Sequence, residues 1–274
     1  MVKPQAYLDR IGFSGAPRAD LATLRALHRA HVEAIPYENL DVQLGRPVTR
    51  AIGPTYEKIV TRRRGGWCYE MNGLLSWALE EIGFKVTRLA GGVARAIAGD
   101  AVVGNHLVLL VDLGETWLAD AGFGDGLIEP TPLREGAFRV GPLDCRLDRV
   151  EAGWWRYSND PTAVAPSFDF HEDVFEETLL EDRCRFLQTN PASPFVQNAV
   201  VQRWLNDAHY SMRGRVLQTN DGKGKRTAII KDAKHYVATL REVFALDLPE
   251  AASLWPKICA RHETVFGSTE TSRN

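Results

Sequence analysis

Residues 62–83 read RRRGGWCYEMNGLLSWALEEIG, which sets a cysteine behind two glycines and a tryptophan at the head of an apolar stripe. Met71, Leu74, Leu75, Ala78, Leu79 and Ile82 recur at three- and four-residue spacing, the period of a helix with one buried face. Gly83 supplies a C-terminal stop, and Glu70 puts an acid in the first turn, where the dipole favours it. Cys68 therefore opens a helix. Unpaired backbone N–H groups at such a terminus stabilise negative charge and lower a thiol's pKa. Glycines at 65 and 66 permit a sharp turn and close approach of a substrate, and their N–H groups could receive an oxyanion. A cysteine is more often a small buried apolar residue, so Cys68 as nucleophile depends on finding its partners.

Bulk properties narrow the field. The chain has 274 residues, 45% hydrophobic and 25% charged, too apolar for disorder and long enough for two or three modest cores. A net charge of −2 lacks the basic excess of a nucleic-acid binder. The longest apolar run, LVLLV at 107–111, has the length of a buried strand, not a membrane span. The opening MVKPQAYLDRIGF lacks a secretory core, so a cytoplasmic location is expected. Cys68, Cys145, Cys184 and Cys259 are far apart, with no C-x-x-C pair to suggest a disulfide framework or a metal site.

Roughly the first 90 residues carry helical spacing. After SGAPRAD (14–20), Leu21, Leu24, Leu27, His28, His31, Val32 and Ile35 share a face until Pro36 ends the run. From Phe84 the period changes, and 84–96, 105–114, 116–124 and AGWWRYS (152–158) read as strands. Around 195–209 the spacing of Val196, Val200, Val201, Trp204, Leu205 and Ala208 predicts a helix. RVLQTNDGKGKRTAII (215–230) reads as a hairpin, followed by a last helix with Tyr236, Val237, Leu240, Val243 and Phe244 on its core face.

A thiol nucleophile needs a base, and His106 stands out because it opens an apolar strand. The strand 106–112, the turn DLGE and the segment TWLAD form a hairpin. If paired residue numbers sum to 226, Asp120 faces His106; if they sum to 228, it is the diagonal neighbour. Either even register puts imidazole and carboxylate on one face, whereas an odd register separates them. A carboxylate against the ring would fix its tautomer and stabilise the imidazolium. Cysteine, histidine and aspartate in that order also suit papain-like and transglutaminase-like enzymes.

At this point the chain resembles the arylamine N-acetyltransferases. The resemblance rests on Arg64-Gly65-Gly66-x-Cys68-x-Glu70-x-Asn72, His106 at the head of its strand, and Asp120-x-Gly122-Phe123-Gly124. IPYENL (35–40), TNPASPFVQNAVV (189–201) and LREVFALDLP (240–249) extend it nearly end to end. It implies an α+β multi-domain protein with a cysteine-protease-like core. The units would be a helical domain at 1–88, a β-barrel at 89–190 and an α/β lid with an interdomain helical segment at 191–274. It implies Cys68, His106 and Asp120 as the catalytic triad, acetyl-CoA as donor without a metal, and aromatic amines, hydrazines or N-hydroxyarylamines as acceptors. Tyr37 stands where the family pattern usually shows phenylalanine, so its hydroxyl would reshape the acceptor pocket.

Other roles follow from residue type. Tyr37 and Phe123 are candidates for packing against an aromatic acceptor. In GFGDG (122–126), Gly124 and Gly126 could form an anion nest for coenzyme A, or simply a glycine-rich turn. Lys223, Lys225 and Arg226 sit at a hairpin tip, either solvated or meeting phosphates. Arg64 has an expected scaffold role, paired with Glu38 or Glu70, and Asn72 joins this supporting set. The competing readings are a cysteine hydrolase on the same triad and a binding module with a structural Cys68. No nucleic-acid or membrane partner is expected, and a homodimer is left open.

Overall fold

The structure, a computed structural model, describes residues 2–173 and 176–270, with side chains to residue 265. Helices dominate the first part: α1 (Pro4–Ile11), α2 (Leu21–Ala34), the short α3 (Leu40–Gln43) and α4 (Ile52–Tyr56), and α5 (Cys68–Ile82). Asp20 caps α2 by accepting the Thr23 N–H at 2.8 Å, and the chain leaves the helix at Ile35, just before Pro36. Gly83, in the left-handed region at φ 105°, closes α5. Both helices begin and end where their sequence signals lie.

Two antiparallel sheets follow. The larger contains β2 (Lys85–Val93), β3 (His106–Asp112), β4 (Thr116–Leu118), β5 (Thr131–Pro132), β6 (Gly136–Val140), β7 (Leu143–Glu151), β8 (Trp154–Ser158) and β9 (Ser167–His171). Its order is β5-β4-β3-β2-β9-β8-β7-β6. The end strands β5 and β6 are not paired with each other, so this is an open sheet and not a closed barrel. Its core is continuous with α5: Leu74, Leu75, Ala78 and Leu79 belong to the same buried cluster as Leu107, Val108, Leu109 and Val111. β2 starts at Lys85, inside the segment expected to be the helical unit.

The second sheet has the order β1 (Tyr37–Glu38), β10 (Val200–Leu205), β11 (Ala208–Arg213), β12 (Val216–Asn220) and β13 (Lys225–Ile229). The helix expected around 195–209 is a hairpin instead. Asn206 and Asp207 both have positive φ, 52° and 57°, which makes the two-residue turn that matches strand twist. Valines at 200 and 201 then favour the extended chain. Only Pro194–Gln197 is helical there (α8), after α6 (Arg95–Ala98) and α7 (Glu177–Thr189). The hairpin at 215–230 forms as expected. α9 (Ala233–Glu242) buries Tyr236 and Leu240 against Val201 and Met212, and a further helix, α10 (Trp255–Glu270), follows it unanticipated.

Candidate active site

Close packing of three segments sets the position of Cys68. Gly66 donates to the Pro36 carbonyl (3.2 Å), and Glu38 donates back to the Gly66 carbonyl (2.9 Å). A Cβ on Gly65 would lie 2.1 Å from the Pro36 oxygen. The glycines therefore serve the approach of the 36–38 segment, not that of a substrate, and the Gly66 N–H is spent. On the other side, a Cβ at Gly122 would meet the Asn72 amide at 2.7 Å and the Cys68 Cα at 3.0 Å. The loop after β4 presses on the head of α5.

The hairpin register decides the imidazole's partner. Leu110 pairs with Leu118 and Val111 with Trp117, a sum of 228, so Asp120 lies diagonally across from His106 on the same face. His106 Nε2 and Asp120 Oδ2 are 2.6 Å apart. Asp120 Oδ1 accepts from Asn72 Nδ2 (3.0 Å) and from the Gly122 N–H (2.8 Å). Asn72, one turn beyond Cys68, also donates to the Leu107 carbonyl at 2.6 Å and accepts the Ala121 N–H at 2.9 Å. One amide thus ties α5, β3 and the Asp120 loop together. Burial alone would raise the Asp120 carboxyl; the facing imidazole, Asn72 and Gly122 outweigh it and hold the group below its ordinary range.

Cys68, His106, Tyr37, Gly122 and Phe123 line one cavity of about 650 Å³. The Phe123 ring meets His106 edge-on at 5.7 Å and Phe168 at 4.9 Å. The Cys68 thiol donates to the Asn105 carbonyl at 3.7 Å. Burial pushes this thiol up, against a weaker downward pull from backbone N–H groups at Leu107 and Tyr69. The helix-terminus effect expected from the sequence is present, but burial overrides it.

The remaining site residues divide. Gly124 and Gly126 do not line the Cys68 cavity; they border a small void with Gln202, which sits where a Gly124 Cβ would be. Arg64 donates to Glu38 (2.7 Å) and Asp41 (3.1 Å), not to Glu70. Glu70 is held by Lys58, at 2.8 and 3.0 Å, and accepts the Trp67 N–H at 3.3 Å. Burial pulls Lys58 down, but Glu70, Glu38 and Asp41 outweigh it and keep the ammonium charged. Sequence reasoning missed Lys58 and Asp41, because nothing in their own spacing marks them. It also missed Phe195, whose ring lies 5.5 Å from Trp67 and which lines the cavity.

A family profile described as N-acetyltransferase matches residues 20–253. The arylamine N-acetyltransferase of Mycolicibacterium smegmatis is 36% identical over 259 residues, covering 90% of this chain and 92% of that protein. Arylamine N-acetyltransferase 1 of Homo sapiens is 30% identical over 236 residues, 78% of this chain and 81% of its own. The solved structure of Mycobacterium marinum arylamine N-acetyltransferase in complex with CoA matches with a TM-score of 0.84 at 30% identity, covering 96% of this chain and 99% of that one. The chain belongs to the arylamine N-acetyltransferase family.

Proposed function

We propose that the protein transfers an acetyl group from acetyl-CoA, through a thioester on Cys68, to arylamines, arylhydrazines or N-hydroxyarylamines. The observation that carries this is the His106–Asp120 contact of 2.6 Å, anchored by Asn72, on the wall of the cavity that also holds the Cys68 thiol. With Nε2 engaged by Asp120, Nδ1 is the ring nitrogen that serves the sulfur. His106 takes the Cys68 proton as sulfur attacks the acetyl carbonyl; the new S–C bond forms, the coenzyme's S–C bond breaks, and His106 returns the proton to the departing thiolate. An aryl amine, uncharged near neutral pH, then attacks the thioester. Its N–C bond forms as the Cys68 S–C bond breaks, and its proton passes through His106 to the sulfur. The Cys68 N–H, first in its helix and without an intrahelical acceptor, faces the oxyanion. Asp120 stabilises the imidazolium at each stage.

Tyr37 and Phe123 would pack against the acceptor ring. The Tyr37 hydroxyl has no hydrogen-bond partner among the described residues, which leaves it for a polar substituent. Gly124 and Gly126 act through the shape of the loop that carries Phe123. Arg64, Glu38 and Glu70 support the Cys68 turn. We assign a cysteine-protease-like core, in three units at 1–88, 89–190 and 191–274, the last serving as a lid. The site is complete within one chain and does not need the second copy that the sequence leaves open. Four unpaired cysteines suit a cytoplasmic location, and no described helix is long and apolar enough to cross a membrane. A papain-like or transglutaminase-like hydrolase would use the same triad, but the family relation favours acetyl transfer.

Intact-mass measurement after mixing with acetyl-CoA tests this. An adduct of about 42 Da on Cys68, discharged by an aryl amine, is expected of a covalent acyl carrier. No adduct, together with hydrolysis of an amide substrate, would overturn it.

A further inference from the structure

α7 forms one wall of the Cys68 cavity. Arg183, Phe186 and Leu187, spaced by one helical turn, make the stripe that lines it. Leu179, a turn earlier, extends the stripe onto the backbone of the site. A Cβ on Gly104 would lie 2.8 Å from Leu179 Cγ and 3.1 Å from Arg183 Cγ, so the Arg183 stem is seated two residues ahead of His106. The Gly104 carbonyl accepts the Tyr69 hydroxyl at 2.7 Å, and the next carbonyl, that of Asn105, faces the Cys68 thiol at 3.7 Å. The base of the Arg183 side chain is therefore fixed against the segment that frames the sulfur and the imidazole.

Its charge has no counterpart. The acids of α7 turn elsewhere: Glu177 and Glu181 pair with Arg50, at 2.8 and 3.7 Å, and Asp182 pairs with Arg185. Glu181 lies about 200° round the helix from Arg183, too far to reach it. Among the described residues, Arg183 has no hydrogen bond or ion pair, and no aspartate or glutamate lines the cavity. The other arginine there, Arg213, ends β11 in the second sheet. Arg183 is half-buried, beside the apolar side chains of Phe186 and Leu187. A guanidinium so placed meets a planar carboxylate best, through two parallel N–H···O bonds, and a few such polar groups in an apolar pocket set which ligand it accepts.

We propose that Arg183 is a specificity-determining residue for the acceptor: it receives the carboxylate of an aminobenzoate-type aryl amine, whose ring lies against Tyr37 and Phe123 while its amine reaches the Cys68 thioester. This rests on the acetyl-transfer reading above and narrows its acceptor class. A neutral aryl amine can occupy the same walls but leaves the guanidinium unpaired.

The two half-reactions of the full chain, read separately, test this. Intact mass follows acetylation of Cys68 by acetyl-CoA. The isolated acetyl-enzyme is then discharged with 4-aminobenzoate or with 4-aminobenzamide, which keeps the ring and nearly the shape but carries no charge. The unaltered protein should prefer the benzoate, and the preference should shrink as salt rises. Arg183→Gln should lower kcat/KM for the benzoate by about 10–100-fold, mostly through KM, and abolish the preference over the amide. Arg183→Lys should recover part of it, since a lysine keeps the charge but not the paired geometry. Equal discharge by the two amines in the unaltered protein would overturn the assignment. So would an equal loss for both in Arg183→Gln, or slower acetylation by acetyl-CoA with the amine preference intact, which would put Arg183 on the donor. Should the variants unfold, the amine preference and its salt dependence in the unaltered protein still decide. If acetyl-CoA leaves no adduct on Cys68, the acetyl-transfer reading fails and the assignment with it; if the adduct forms and both amines discharge it alike, only the role of Arg183 fails.

Discussion

Two buried polar clusters hang on α5, and they differ in what they face. Asn72, His106 and Asp120 form the first, in which each carboxylate oxygen has a donor and the imidazole stands on the wall of the large cavity. Glu38, Asp41, Lys58, Arg64 and Glu70 form the second, in which Lys58 pairs with all three carboxylates and Arg64 with Glu38 and Asp41, and none of the five lines that cavity. Cys68 opens α5, the helix that carries Glu70 of one cluster and Asn72 of the other. Chemistry needs one cluster to be open to a substrate. The other fixes the turn before Cys68, and a sealed ion cluster does that without reaching the reacting atoms.

The contrast is most exposed at the sulfur itself. Cys68→Ala should abolish acetyl transfer and the mass adduct altogether while leaving the melting temperature near that of wild type, because little packing is lost. A residual adduct in that variant would move the nucleophile elsewhere. Next in size is Asp120→Asn, which keeps an acceptor for Asn72 but donates to the imidazole in place of accepting from it. A rate loss of about 10⁴ with a normal fold is expected from the mis-set tautomer, and near-normal turnover would end the role of Asp120.

These partners were legible because Cys68 and His106 open regular elements and Asp120 lies two residues beyond β4, still in the hairpin's register. A hairpin allows few registers, and both even ones bring positions 106 and 120 to one face, so the pairing follows from counting. The second cluster was only half legible. Arg64 and Glu38 belong to recognisable motifs, but Lys58 comes from a π-helical turn (Glu57–Thr61), whose spacing matches no simple period. The error at 195–209 has a different cause. Val196, Val200, Val201, Trp204, Leu205 and Ala208 satisfy a helical stripe, yet the two positive-φ residues Asn206 and Asp207 close a hairpin through that stripe. Turn chemistry outranked apolar periodicity there. The upward pull of burial on the Cys68 thiol is a tertiary property, invisible in the order of residues.

Breaking the sealed cluster should show the opposite pattern from Asp120→Asn. Lys58→Met removes the ammonium that neutralises Glu70 and Asp41 and leaves buried carboxylates short of a counter-charge. A stability loss of about 3–5 kcal/mol is expected, read by denaturant unfolding, with turnover per folded molecule little changed. If Lys58→Met instead slowed acetylation at full stability, the division between the clusters would be wrong.

Buried histidines that belong to neither cluster make the smallest and most specific case. His31 and His209 are both pushed down to about 3 by burial, which lowers His28 as well, and His209 Nε2 has no hydrogen-bond partner among the described residues. The folded state keeps these rings neutral, whereas the unfolded chain protonates them below about pH 6.5. Their contribution is therefore full above that pH and is lost as pH falls from about 6.5 toward about 3, at up to about 1.4 kcal/mol per pH unit for each ring. Asp125 acts in the opposite direction: burial lifts its carboxyl to about 6, so on acidification the folded state takes that proton before the unfolded chain does. Three rings, joined by the lowered carboxyls of Asp41 and Asp120, against the raised carboxyls of Asp125 and Glu70 leave acidification destabilising. His209→Phe keeps an aromatic ring against Trp204, which lies 4.9 Å away by ring centroid, and removes one of these protons. Between pH 7 and 5.5 the variant should lose about 1 kcal/mol less stability than wild type. An identical acid slope in the two proteins would mean that His209 is already protonated in the fold, and that its buried Nε2 has found an acceptor in solution.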